Sequence, residues 1–385
     1  MAKNSEYVKY EFIGRWRRFI ALMFLVILIS TPSSSWAAFV PPVDRTDFIE
    51  TTFDRGASNS DLKIWYRQVG AADDKDPKKW ANNAWVCTSS TDDVFGRCTT
   101  NVTWGGATGE SEIDLRFVEM ETKSKVVLRL MAEKPLYNSS STDPWNVVGG
   151  LTWSMGVATS YAAKYDGVGI NVRIPAGELK KIPAGGRWEA TLKLRQMKWG
   201  TPPQEVSVFT AKIALNVTDK NNIQIYLPEF GNVTPQVDLR LRQIPGGKWT
   251  SDVSSINMCL YDGYNSQSTW FDVTASDGLS IGDRDPGIYS VLHENDRSGE
   301  RSKRIDYRVS LGFNNQKIQL ANGQTMRLSG VNNSPGRSVT LPNIPVPVIC
   351  TPAPLMLDTP EFDAKQAGRY SGNLRITFSP SSANL

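Results

Sequence analysis

The stretch Tyr370-Ser-Gly-Asn-Leu-Arg-Ile-Thr-Phe-Ser-Pro-Ser-Ser382 carries the reading of the fold. Leu374, Ile376 and Phe378 alternate with Asn373, Arg375 and Thr377, the period-2 pattern of a strand with one buried face. The sequence stops soon after, at Leu385. A strand so close to a terminus is expected at the edge of its sheet, where unpaired N–H and C=O groups are open to another chain. Two readings stand at this point. The strand is an ordinary last strand paired within its own sheet, or an edge that a chaperone or neighbouring subunit completes by adding a strand.

The same alternation recurs upstream. Ile113–Val118, Val126–Leu130, Thr191–Leu194, Ile223–Leu227, Val237–Leu241 and Tyr307–Leu311 all read as short strands. Turn material separates them: Gly105-Gly106, Gly149-Gly150, Gly185-Gly186, Gly246-Gly247 and Asn332-Asn333. There is no long amphipathic helix, fixed-period repeat or low-complexity tract. The pattern predicts an all-β protein built of β-sandwiches. A chain of 385 residues exceeds what one small core supports, so two domains are expected.

The amino-terminal end predicts the compartment. Lys3, Lys9, Arg15, Arg17 and Arg18 precede the apolar run Phe19–Ile29, and Ser35 and Ala37 form a small-residue cleavage site. This is the layout of a secretory signal peptide over residues 1–37, and the run is well short of the ~20 residues that span a bilayer. The leader holds five basic and two acidic residues, so the 43 basic and 39 acidic residues of the whole chain fall to 38 and 37. A nearly neutral exported chain without a basic cluster gives no electrostatic case for binding nucleic acid.

Export also bears on the four cysteines. Cys87 and Cys98 lie close together in the first half, and Cys259 and Cys350 lie in the second. Three connectivities are possible; an oxidising compartment and this grouping favour Cys87–Cys98 and Cys259–Cys350, one staple per domain. Neither pair has metal-site spacing, and His293 is the only histidine, so no metal or other cofactor is expected. His293, among Leu292, Glu294, Asn295 and Asp296, reads as a polar turn residue, and no nucleophile or phosphate-loop motif accompanies it. No catalytic residue is assigned. Separated carboxylates of a glycosidase would leave no local signature, which keeps that class as a remote alternative.

Several ordered motifs then converge. Ile174-Pro-Ala-Gly-Glu-Leu-Lys-Lys-Ile-Pro-Ala-Gly-Gly-Arg-Trp188 leads into Leu192-Lys-Leu194, and Leu215–Pro228, Val253–Tyr264, Ile344–Cys350 and the terminal Ile376–Ser382 follow. Together they resemble the tip adhesin/initiator minor pilins of the alternate chaperone–usher fimbriae. That family includes class 5, colonisation-factor-like tip subunits and the cable-pilus initiator. The likeness runs from about Cys87, is strongest from Ile174 onward and is weak over Ala38–Lys79.

The resemblance implies two tandem immunoglobulin-like β-sandwiches: an adhesin domain over 38–218, a linker at 219–221 and a pilin domain over 222–385. The pilin domain would lack a strand and be completed by donor-strand complementation. Leu374, Ile376 and Phe378 would line the groove that a periplasmic chaperone fills first and a major pilin fills later, after passage through an outer-membrane usher. The short, proline-rich Ala38-Phe-Val-Pro-Pro42 looks unlike a donor strand, which fits a position at the distal tip of a surface fibre.

In relatives, arginines near one pole of the adhesin domain support attachment to host cells. Carried over by position they fall on Asn82 and on Lys198-Trp199, the second only approximately because of an insertion around Pro202-Pro203. Only Lys198 keeps the charge, so receptor specificity does not carry over. Trp199 beside Lys198 offers an aromatic platform for a sugar of a host glycan or glycoprotein, with Arg195 in support. Against this, tryptophans are more often core, as Trp80 and Trp85 are expected to be. A non-adhesive initiator that merely caps the fibre is the alternative function.

Overall fold

The computed structural model describes residues 39–384 apart from 58–59, 146–151, 160–164 and 231–233. The expected signal peptide lies outside the described residues. The described residues form an all-β chain of two tandem sandwiches, and the one α-helix among them, Ala176–Leu179, is a single turn.

The first sandwich is built on one long sheet. Its strands run in the order Arg45–Asp54, Gln204–Thr218, Gly186–Lys198, Ser111–Glu119, Lys125–Lys134, Gly167–Ile174 and Leu62–Ala72. Alternation decides which face each strand buries. In Ser111–Glu119, Ile113, Leu115 and Phe117 point wholly inward while Asp114 and Arg116 reach the surface. Trp85, Trp188, Phe117 and Phe209 dominate the shared core, so Trp85 is the core residue expected; Trp80 is buried too. Fully burying aromatic and branched side chains of this kind stabilises by about 1.5–3 kcal/mol each.

Arg45–Asp54 is a strand that local sequence patterning does not reveal. It pairs in parallel with Phe209–Thr218 over its whole length, while the hairpin partner Gly186–Lys198 runs antiparallel on the other side. The long strand Gln204–Thr218 is therefore paired along both edges.

The second sandwich holds a separate core around Phe271, Tyr289, Tyr307, Val309 and Leu311. One sheet contains Ser254–Ile256, Leu355–Asp358, Arg304–Phe313, Tyr289–His293 and Tyr370–Ser371 in that order. Another places Gln224–Tyr226, Cys259–Tyr261, Val348–Pro352 and Arg337–Val339 side by side. A third has Thr325–Ser329, Trp270–Ser276 and, outermost, Arg375–Pro380. Both expected disulfides form, Cys87–Cys98 and Cys259–Cys350, with Cα separations of 5.4 and 5.7 Å.

The two sandwiches meet at close range around Gly185 and Gly263. Asp219 N–H donates to the Gly263 carbonyl at 2.8 Å, and Asn265 Nδ2 donates to the Gly185 carbonyl at 3.0 Å. A Cβ on Gly185 would lie 1.9 Å from the Gly263 oxygen, so only glycine permits this approach. Ala184 packs into the small cluster around Cys259, Tyr261 and Cys350. Lys220–Asn222 is a short 3-10 turn.

Two local expectations are corrected. Of Val237–Leu241 only Leu241 enters a strand, Leu241–Gln243. Arg240 has φ +53°, which breaks the extended run, and residues 235–240 have no ladder partner among the described residues. His293, expected as a polar turn residue, instead closes the strand Tyr289–His293 just before the turn, is buried, and meets the Tyr370 ring edge-on at 5.3 Å. Its Nδ1 accepts the Asn295 N–H at 3.2 Å, which leaves Nε2 to donate to the Ala367 carbonyl at 3.2 Å. Both ring nitrogens are committed to holding a turn.

Candidate functional site

The hairpin Gly186–Lys198/Gln204–Thr218 fixes one pole of the first sandwich. Lys198 is opposite Gln204 on the last rung, and Trp199 opens the turn that follows. On the other side of the same strand, Ala84–Cys87 pairs with Leu194–Met197, and the last rung joins Met197 to Ala84. Asn83 and Asn82 leave that rung as Lys198 and Trp199 do. The structure thus brings Asn82, Lys198 and Trp199 to one end of the ladder.

Lys198 Nζ sits 5.3 Å from the centre of the Trp80 ring and makes no ion pair among the described residues. An ammonium over an indole face is stabilised without losing its remaining N–H donors. Trp199 lies against Trp104, ring centres 5.3 Å apart and planes at 41°. Trp104 is 49% exposed, the most exposed tryptophan among the described residues. Sequence reasoning misses it; the only hint is its position before the turn glycines Gly105-Gly106, a place with no core to fill.

Arg195 stands apart from this group. Its guanidinium is 2.5 Å from the Glu205 carboxylate across the hairpin, which makes it a brace with its charge already matched. Asn82 is half-buried, and its amide oxygen is enclosed with no hydrogen-bond partner among the described residues; the Trp80 indole N–H and both Asn83 amide atoms are in the same state.

Beneath the pole lies Lys134, fully buried at the end of Lys125–Lys134. Its ammonium donates to the Asn83 carbonyl at 3.2 Å and to the Val157 carbonyl. Burial alone pushes Lys134 down to about 7. Val157–Ala158 in turn pairs with Thr103–Trp104. One lysine therefore clamps the segment carrying Asn82 to the strand that holds Trp104. Nothing in the local sequence, Arg-Leu-Met-Ala-Glu-Lys134, marks it, because an alternating strand places a lysine outward by default.

A second site lies at the far end of the chain. Arg375–Pro380 pairs with Trp270–Ser276 along one side only, and its other edge has no ladder partner among the described residues. Leu374, Ile376 and Phe378 turn toward the second core but are only half-buried, while Arg375, Thr377 and Ser379 are exposed. Phe378 meets Phe271 edge-on at 5.5 Å. Leu227, Phe230 and Leu239 are half-buried on the same core. Beyond the strand, the Ser382 hydroxyl donates to the Asp262 carbonyl at 2.7 Å and Thr269 N–H donates to the Ser381 hydroxyl at 2.8 Å. The strand is anchored at its end yet open along its side.

The family profile for the first domain of the CFA/I fimbrial protein CfaE matches residues 34–220, and the profile for its second domain matches residues 223–382. The chain is 33% identical over 309 residues to the CFA/I fimbrial protein CfaE of Escherichia coli, covering 78% of this chain and 81% of that protein. Among solved structures, CfaE as the adhesive subunit of CFA/I fimbria of enterotoxigenic Escherichia coli matches with TM-score 0.75 at 30% identity, covering 89% of this chain and 94% of that one. A chaperone–tip adhesin complex of CFA/I fimbriae biogenesis matches with TM-score 0.67 at 30% identity, covering 89% and 97%.

Proposed function

Because the chain belongs to the CfaE family of CFA/I fimbrial subunits, we propose that it is a fimbrial tip adhesin that initiates pilus assembly and attaches to a host-surface glycoconjugate. It travels through the periplasm to the cell surface in the hands of a pilus chaperone and an outer-membrane usher, and is joined to a major pilin. The observation that carries the assembly half of this reading is the terminal strand, with one free edge and three half-covered apolar side chains. An added strand would gain main-chain hydrogen bonds along that edge, and its alternate side chains would cover Leu374, Ile376 and Phe378.

We place the adhesin domain at 38–218, the linker at 219–221 and the pilin domain at 222–385. The pole carrying Asn82, Lys198 and Trp199 is the receptor face in this reading, with Arg195 bracing the hairpin beneath it. The protein is a binding protein with no catalytic step. The test is adherence of bacteria assembling the wild-type chain against bacteria assembling Lys198→Gln/Trp199→Ala. Equal fimbriation with adherence lost supports the adhesin. Equal fimbriation with adherence unchanged moves the receptor face elsewhere, and absence of adherence by the wild type leaves a capping initiator.

A further inference from the structure

Resting on the adhesin reading above, we propose that Trp104 and Trp199, at the pole that also carries Lys198, form a stacking shelf for a neutral pyranose that presents an unbroken C–H face, as a galactoside does. Two indoles 5.3 Å apart and tilted by 41° make a shallow V, open to solvent on the Trp104 side. Trp65, Trp80, Trp85, Trp153 and Trp188 are all buried, which sets Trp104 apart. A pyranose with an axial hydroxyl gathers its C–H groups on the opposite face, and that face fits an indole both by area and by the negative potential of the ring.

The charges around the shelf argue for a neutral sugar. Arg195 is matched by Glu205 at 2.5 Å and Lys79 by Asp73 at 3.4 Å. Of these three cations only Lys198 makes no ion pair among the described residues, and it already shares its charge with the Trp80 face. A single ammonium lacks the planar fork with which guanidinium grips a carboxylate, but its three N–H donors suit ring hydroxyls. The shelf is also built in advance of any ligand. Trp104 is fixed by the pairing of Thr103–Trp104 with Val157–Ala158, and Lys134 ties Val157 to Asn83 below it.

The test uses the full-length mature chain bound to its chaperone, titrated with methyl β-galactoside, methyl β-glucoside and N-acetylneuraminic acid and followed by tryptophan fluorescence and saturation-transfer NMR. The galactoside should saturate at millimolar concentration and the glucoside should bind more weakly. Trp104→Ala should weaken the galactoside by about tenfold, a stacking-sized loss, while Trp104→Phe keeps part of it. Each variant is scored only if it co-purifies with the chaperone with both disulfides formed. No saturable galactoside binding, equal binding by Trp104→Ala, or preference for the acidic sugar lost only in Lys198→Gln would each overturn the shelf. Adherence of fimbriated bacteria is measured in parallel. Adherence that survives Trp104→Ala rejects the shelf and leaves the adhesin standing, whereas a non-adherent wild type rejects the adhesin by itself.

Discussion

Fusing a donor strand behind Leu385 through a short linker should raise the melting temperature of the pilin domain by an amount that can be worked from the edge itself. Leu374, Ile376 and Phe378 are each left partly exposed on the second core. Complete burial of such a side chain is worth about 1.5–3 kcal/mol, so covering the exposed part, about a third or less of each, adds about 0.5 kcal/mol each and about 1.5 kcal/mol for this wall. In a domain of roughly 160 residues, 1 kcal/mol moves the melting temperature by about 2–4 °C, which gives a shift of about 3–6 °C before any new ladder hydrogen bond is counted. The assay is thermal unfolding of fused and unfused chains at one protein concentration, with sedimentation to establish the oligomeric state. A fused strand with serine at its inward positions should lose most of the shift, because backbone pairing alone leaves the apolar wall uncovered. If the unfused chain is monomeric and melts with the fused one, the edge is already complete and the reasoning fails.

Two further perturbations test buried charges. Lys134 is held at about 7 by burial, below its ordinary value, so between about 7 and 10.5 the unfolded chain binds more protons than the folded one. Stability should therefore rise with pH across that window and level off below about 7, where the lysine is charged in both states and its full burial penalty is present. Denaturant unfolding at several pH values should show this slope in the wild type but not in Lys134→Met. Asp277 tells the opposite story. Burial pushes its carboxyl up, but hydrogen bonds from Asn322, the Leu279 and Ser290 N–H groups and Arg284 outweigh it and hold the group below the carboxylate range. Its stabilising contribution is present above the ordinary carboxylate value and lost as pH falls through the lowered one. Asp277→Asn leaves the nearly buried Arg284 without its counter-charge and should destabilise the second domain by about 3 kcal/mol, read from denaturant midpoints at pH 7. No loss would show that Arg284 finds another partner.

Much of this molecule is legible in its sequence, for reasons that differ from place to place. The terminal strand is readable because a strict period of two specifies a face, and the observed burial of Ile376 and Phe378 follows it. The cysteines are readable because grouping and compartment leave one sensible pairing. Arg45–Asp54 escapes because parallel pairing with a strand over 150 residues away leaves no local turn signature. Val237–Leu241 misleads because alternation specifies a face only where a neighbour exists to pair with it. At the pole, position brings Asn82, Lys198 and Trp199 together, but Trp104 reaches the site through a two-residue parallel ladder and Lys134 through hydrogen bonds to the Asn83 and Val157 carbonyls, contacts no spacing rule reveals. The pairing of Arg195 with Glu205 is set by hairpin register, which sequence spacing does not show.

The strand Gln204–Thr218 begins at the pole beside Lys198 and ends at Thr218, one residue before Asp219 bonds to Gly263. A cell held at the pole and a fibre pulling from the second domain would load this strand end to end, over ~50 Å at strand rise. Its hydrogen bonds run across the pull and lie along both edges, to Arg45–Asp54 and to Gly186–Lys198. Separating them means shearing two ladders at once rather than peeling one bond at a time. With the pole as the receptor face, the first domain would act as a tension member, strongest along the line in which flowing liquid would drag a tethered bacterium.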